Sequence, residues 1–163
     1  MEIQKATIHD LPQIMHLYAQ ARQFMVDTGN PRQWAARNWP PQWLLEQDIQ
    51  QEKLYVCKDK EMLTAVFYYD FGDDIDPTYR RIEKGSWLSD APYGVVHRIA
   101  ARKGSGAGKY CINWAWERSG HLRIDTHEDN CVMQHVLQQL GFRRCGIIYV
   151  TEDNDPRIAF EKI

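Results

Sequence analysis

The sequence has no apolar run approaching the roughly 20 residues needed to cross a bilayer. Its first residues, Met1-Glu2-Ile3-Gln4-Lys5, lack the charged-then-apolar layout of a secretory signal. A cytoplasmic location is therefore expected, with no membrane partner. Cysteine is scarce. The four present (Cys57, Cys111, Cys131 and Cys145) show no CxxC or CxxH spacing, so no zinc cluster is expected. In a reducing compartment they read as small buried hydrophobes. A dominant charge is missing too: the formal net charge is −2, with both signs interspersed. That argues against a nucleic-acid partner, which calls for a clustered positive face. No repeat or low-complexity linker divides the chain. What remains is 163 residues, 44% apolar and 12% aromatic, enough for one core, so residues 1–163 are expected to form one domain.

The pattern along the chain predicts a mixed α/β fold. Glu2 to Thr7 alternates apolar and polar residues, as a strand does. His9-Asp10-Leu11-Pro12 reads as a helix start, with Asp10 as cap and Pro12 in the first turn. Leu11, Ile14, Leu17, Tyr18, Ala21 and Met25 then recur at helical spacing until Gly29. Asn30 to Pro41 is poor in helix formers, and Trp43 to Gln51 reads as a second, shorter helix. Lys53 to Lys58 and Met62 to Phe71 read as strands around the turn Asp59-Lys60-Glu61. Gly72 to Pro92 is polar and reads as a surface excursion. A strand over Tyr93 to Ala101, a helix over Ala107 to Ser119, a strand over His121 to Thr126 and a helix over Asn130 to Leu140 follow. Cys145 to Val150 and Arg157 to Lys162 close the chain as strands. Antiparallel hairpins around a central β-α-β unit predict a mixed sheet with helices on both faces.

The chemistry concentrates in Lys103-Gly104-Ser105-Gly106-Ala107-Gly108-Lys109, between a strand and a helix. Glycines let the backbone turn tightly and leave amides uncovered by side chains. Those amides and the positive end of the helix make an anion site, reinforced by Arg102, Lys103 and Lys109. A phosphate or pyrophosphate is the natural guest. The phosphate loop of ATPases does not fit: Lys103 stands where its first glycine belongs, and Tyr110 where Ser or Thr would follow the lysine. The dinucleotide fingerprint does not fit either, because counting from Gly104 the sixth position is Lys109. Asp125, at a strand end about 20 residues on, is the one feature that favours a dinucleotide and an oxidoreductase.

Lys103-x-x-Gly106-x-Gly108 resembles the Gln/Arg-x-x-Gly-x-Gly/Ala signature of the GNAT acetyltransferases, with lysine in the first place. Asp129-Asn130-x-x-Met133, followed by Leu140-Gly141-Phe142, is similar to the family's second cofactor segment. The element order matches from Ile3 to the C-terminus. His97-Arg98-Ile99-Ala100, Arg123-Ile124-Asp125-Thr126-His127 and Cys145-Gly146-Ile147-Ile148-Tyr149 look like a bacterial branch of that family. The resemblance implies a GNAT-type acyl-CoA N-acyltransferase fold, a mostly antiparallel sheet with one splayed parallel strand pair. It implies acetyl-CoA as cofactor and transfer of acetyl to a primary amine of a small molecule or peptide. A monomer or a homodimer fits it equally.

Carried over residue by residue, the resemblance gives the pyrophosphate to Lys103, Gly104, Ser105, Gly106, Ala107, Gly108 and Lys109. It gives the pantetheine arm to the backbone of Ile99 and Ala101, with Asn130 and Met133 beside it. For Asn130 a helix cap is the alternative. The family's usual proton donor, a tyrosine four residues before the Gly of Gly-Phe, is Leu137 here. The thiolate then leaves unaided, or Tyr149 replaces the donor, or the domain binds acyl-CoA without chemistry. For the base, His97 stands two residues before Ile99, on the same face of a regular strand. His127 is the second candidate, with Asp125 placed to orient its ring. Asp125-x-His127-x-Asp129 also has metal-ligand spacing, but nothing else completes a site. Trp34, Trp39, Trp87 and Tyr93 are candidates to line the acceptor cleft, against the alternative of core packing and loop anchoring.

Overall fold

The computed structural model describes all 163 residues. Strands β1 (Glu2–Lys5), β2 (Leu54–Asp59), β3 (Met62–Gly72), β4 (Tyr93–Ala101), β5 (Leu122–Thr126), β6 (Arg143–Tyr149) and β7 (Pro156–Lys162) form one sheet in the order β1-β2-β3-β4-β5-β7-β6. Four helices, α1 (Leu11–Asp27), α2 (Gln42–Gln50), α3 (Ala107–Ser119) and α4 (Cys131–Gln139), cover it. The expected order of elements and the mixed sheet are both present.

Each helix follows from local chemistry. On α1 the buried residues Leu11, Ile14, Leu17, Tyr18 and Met25 form one stripe, which packs on β3 and β4. Gly29 ends the segment at φ 89°. Asp10 does not cap α1 as expected. Its carboxylate instead accepts the Thr7 N–H at 2.8 Å and Lys58 Nζ at 2.8 Å, closing the short 3-10 turn that leads into the helix. Helix α3 lies between two left-handed glycines, Gly106 (φ 72°) and Gly120 (φ 64°). Of the cysteines, Cys57, Cys111 and Cys145 are buried as expected, whereas Cys131 is exposed because it opens α4 on its outer side.

Two features of β4 position the site. It pairs in parallel with β5 only at Gly94↔Leu122 and Val95↔Arg123, after which the strands part. It also carries a bulge: Tyr68 of β3 opposes His97, while Val66 opposes Ala100, so one extra residue enters at Arg98. Arg98 has φ 50°. Side-chain phase flips there. Val96, before the bulge, packs with Cys111, Ile112 and Ile124 on the α3 side. Ala100, after it, packs with Ile14, Tyr18 and Leu45 on the α1 side. His97 and Ile99 therefore face opposite sides of the sheet, contrary to the expectation from a regular strand.

The Gly72–Pro92 segment is more than a surface excursion. A 3-10 turn at Pro77–Arg80 buries Tyr79, which packs with Tyr93, Val95 and Ile148. Trp87 Nε1 donates to the Tyr79 carbonyl at 2.8 Å. Glu83 pairs with Ile147 as an isolated bridge alongside β6. The segment is thereby held against the sheet, with Asp76 directed at the gap between β4 and β5.

Candidate active site

A cleft of about 930 Å³ opens where β4 and β5 part. Its walls are the second half of α1, the loop that follows, β4 beyond Val95, the start of α3, one side of α4 and the turn after β6.

Lys103, Gly108 and Lys109 of the glycine loop line one end, while Gly104, Ser105, Gly106 and Ala107 lie outside the lining. Gly104 and Gly106 lie at φ 77° and 72°, and a Cβ added to either would meet no atom within 4 Å. Here glycine answers a backbone need, and the space outside is open. Ser105 is turned inward, its hydroxyl bonded to the Arg102 carbonyl at 2.6 Å. The amides of Gly104, Gly106, Gly108 and Lys109 donate to no other protein group. Four unbonded donors at a helix N-terminus are what an anion requires. Lys109 Nζ holds Gln139 at 2.6 Å, and Lys103 Nζ lies 5.7 Å from the centre of the Phe24 ring. Arg102 turns instead to Met62, away from the loop. A pyrophosphate fits this end.

His97 occupies the middle of the cleft. Its Nε2 is 2.6 Å from Asp76 Oδ2, while its Nδ1 is 3.8 Å from Asp125 Oδ1, beyond hydrogen-bond range. Tyr68 stacks on the ring at 5.9 Å, and Tyr79 donates to Asp125 at 2.6 Å. Burial works against a charged Asp76, but the His97 bond and the Thr78 N–H prevail and hold its carboxyl below the usual range. For Asp125 burial wins over His97 and Tyr79, and its carboxyl is raised. Burial and the neighbouring Asp125 push the Tyr79 phenol well up. An ionised Asp76 only accepts, so the neutral ring carries its proton on Nε2 and its lone pair on Nδ1.

The other expected residues divide clearly. Ile99, Ala101 and Met133 line the cleft. Arg102 gives its N–H to Thr64 of β3, and successive amides alternate in direction, so those of Ala101 and Ile99 face the gap. Asn130 caps α4: its Oδ1 accepts the Met133 N–H at 3.0 Å and its Nδ2 reaches Gln33 at 3.0 Å. Trp34 and Trp39 line the cleft, Trp34 edge-on to Tyr18 at 5.8 Å. Trp87 and Tyr93 do not: Trp87 anchors the Gly72–Pro92 segment, and Tyr93 lies beneath it, accepting the Asp76 N–H at 3.3 Å. His127 lies outside the cleft. It is buried, its Nδ1 accepts the Asp129 N–H at 3.0 Å, and Asp125 lies beside His97 instead. Burial, with the charges of Arg157 and Arg32, lowers the His127 pKa. Tyr149 also lies outside, beside Arg81, its phenol raised by the Glu83 carboxylate. Leu137 is fully buried in the core under α4.

Asp76, Tyr79, Tyr18 and Arg98 were not anticipated. The only sequence signal was Asp76-Pro77-Thr78, an acidic residue capping a Pro-led turn: Asp76 Oδ1 accepts the Thr78 N–H at 3.0 Å.

No protein-family model matches the chain, and none of the curated proteins is similar to it at a significant level. Solved structures are. An acetyltransferase of the GNAT family from Streptococcus agalactiae 2603 is 29% identical over 99% of this chain and 94% of its own, with a TM-score of 0.89. Another GNAT-family acetyltransferase, from Listeria monocytogenes 4b F2365, is 16% identical over 99% and 93%, with a TM-score of 0.70. A ribosomal-protein-alanine N-acetyltransferase from Brucella melitensis is 17% identical over 100% and 99%, with a TM-score of 0.59. The last two show likeness of fold.

Proposed function

Because the chain belongs to the GNAT family of acetyltransferases, we propose that it transfers an acetyl group from acetyl-CoA directly to a primary amine. One observation carries the proposal: a single cleft is lined both by Gly108 and Lys109, whose amides are unbonded, and by His97, whose Nδ1 is unbonded. Acetyl-CoA supplies an activated thioester. The loop amides and Lys103 hold its pyrophosphate, and the Ile99 carbonyl and the Ala101 amide face the pantetheine arm along β4.

Most amines are protonated near neutrality; the neutral fraction attacks, and its nitrogen must then shed a proton. Asp76 fixes the ring of His97 through Nε2, so Nδ1 takes that proton, and Asp125 beside it stabilises the imidazolium that forms. Trp34 and Trp39 flank the acceptor side, where an aromatic face suits a cationic amine. Neither Leu137 nor Tyr149 gives the departing sulfur a proton, so it leaves as the thiolate.

The test is thermal melting with acetyl-CoA, desulfo-CoA, NAD and ATP. A ligand bound only by the native state at about 100 times its dissociation constant adds roughly 2.7 kcal/mol. Stabilisation by the two CoA compounds alone is expected; a response to NAD or ATP but not to CoA refutes the proposal. A screen of amine acceptors by thiol release, repeated across pH, then separates an enzyme from a module that only binds.

A further inference from the structure

Arg98 is the least expected residue of β4. A side chain with a Cβ holds φ 50° in mid-strand only where its surroundings enforce it. Two anchors do so, one from each helix on that face. Tyr18 of α1, fully buried, donates its hydroxyl to the Arg98 carbonyl at 2.6 Å. Asp48 of α2, also buried, accepts from the Arg98 guanidinium at 2.6 Å, and the guanidinium lies 4.8 Å from the centre of the Tyr68 ring. A carbonyl that a regular strand gives to its neighbour is thus turned towards α1. A trans peptide holds C=O and N–H antiparallel, so the Ile99 N–H of the same peptide points away from α1. The alternation counted from Arg102 directs that N–H to the open side, towards β5. Ile99 lines the cleft at that level, next to His97.

We infer that Tyr18 is a positioning residue for acyl transfer: by holding the Arg98 carbonyl it aims the Ile99 amide at the oxygen of the acetyl thioester. The inference rests on acetyl-CoA being the donor, as proposed above. In the step it serves, the amine nitrogen bonds to the thioester carbon and yields a proton to His97 Nδ1. The C–S bond breaks and the sulfur keeps its electron pair. Negative charge gathers on the carbonyl oxygen meanwhile, and a donor already aimed there needs no reorganisation. Burial raises the Tyr18 phenol, so it remains a donor throughout the working pH range.

The test is isotope-edited infrared spectroscopy of acetyl-CoA labelled with carbon-13 at the acetyl carbonyl, bound to the whole protein without an acceptor. In the unaltered protein the carbonyl band is expected below that of free acetyl-CoA, because a hydrogen bond weakens the C=O. In Tyr18→Phe more than half of that displacement is lost, while the affinity for desulfo-CoA, which lacks the thioester, stays within about two-fold. Once an acceptor is in hand, kcat falls about 10-fold or more with KM for acetyl-CoA little changed. A band unmoved by Tyr18→Phe overturns the inference and leaves the acetyl-CoA reading standing. Failure of the unaltered protein to bind desulfo-CoA overturns both. Should Tyr18→Phe not fold, Asp48→Asn, which weakens the second anchor, is read in the same way: a partial loss of displacement supports the inference and none refutes it.

Discussion

Replacing Gly106 by leucine probes the glycine loop most directly, because the geometry separates its two consequences. The first is backbone strain. Gly106 lies at φ 72°, and a side chain in the left-handed region costs about 1–2 kcal/mol. For a chain of this length each kcal/mol lowers Tm by roughly 2–4 °C, so a fall of about 2–8 °C is expected. No further penalty is due, since no atom lies within 4 Å of the added Cβ. Gly120 is a matched control at the other end of α3: its φ is 64° and its surroundings are equally open. Gly120→Leu should therefore lose a similar amount of stability. The second consequence is ligand binding. At about 100 times the dissociation constant, acetyl-CoA raises the stability of the unaltered protein by roughly 2.7 kcal/mol, a rise of about 5–11 °C. A side chain over the loop amides keeps a pyrophosphate from reaching them. If affinity falls about 100-fold, the remaining stabilisation is only about 0.4 kcal/mol, near the limit of detection. The assay is melting of the three proteins with and without acetyl-CoA. Gly120→Leu should keep the ligand-induced rise and Gly106→Leu should lose it. Equal rises in both would show that the pyrophosphate does not lie on this loop.

Asp76→Asn should leave the fold and the KM for acetyl-CoA nearly intact while lowering kcat on the order of 100-fold, since His97 loses the partner that selects its tautomer; steady-state kinetics across pH read this out. Acid stability should depend on Asp10: burial opposes its charge, but Lys58 and Thr7 outweigh burial and hold its carboxyl below 3.8. A depressed carboxyl stabilises the fold above its unfolded pKa, and that contribution is lost as pH falls through the folded value. Unfolding followed below pH 4 should show a shallower acid limb in Asp10→Asn. Leu137→Ala should cost about 2–5 kcal/mol in urea unfolding, as for other fully buried leucines. Leu137→Tyr should also destabilise, by about 1–3 kcal/mol through overpacking, without speeding transfer.

Local chemistry made the glycine loop and the elements around it legible. The strand Tyr93–Ala101 and the helix Ala107–Ser119 lie where the sequence places them, and the helix is bounded by glycines whose left-handed φ is a property of a single residue. The hydrophobic stripe of α1 is equally readable, since it needs only the helical period. Asp76 was not readable in this way. Its segment shows neither helical nor strand period, and its approach to His97 depends on Tyr79 and Trp87 anchoring that segment from positions that resemble an ordinary polar loop. His127 departs from the strand count for a related reason. Strand alternation does place it with Asp125, but the strand ends at Thr126, and the turn beyond points its ring at Asp129.

The phase of β4 shows where local reasoning stops. Counting by twos from Ile99 puts His97 on the same face, and nothing in the string His97-Arg98-Ile99 contradicts that count, because arginine carries no preference for positive φ. The extra residue is enforced by a hydroxyl 80 positions away on α1 and a carboxylate 50 positions away on α2. The two helices that cover one face of the sheet thus decide which face His97 takes. It takes theirs, the face on which Asp76 and Asp125 converge, while Ile99 turns to the other and leaves its amide in the gap. A regular strand would place base and amide donor differently. The same bulge that defeats the sequence count therefore brings the imidazole, its two carboxylates and the Ile99 amide to one level of the cleft, and it does so at a position where the backbone has no intrinsic reason to depart from a straight strand.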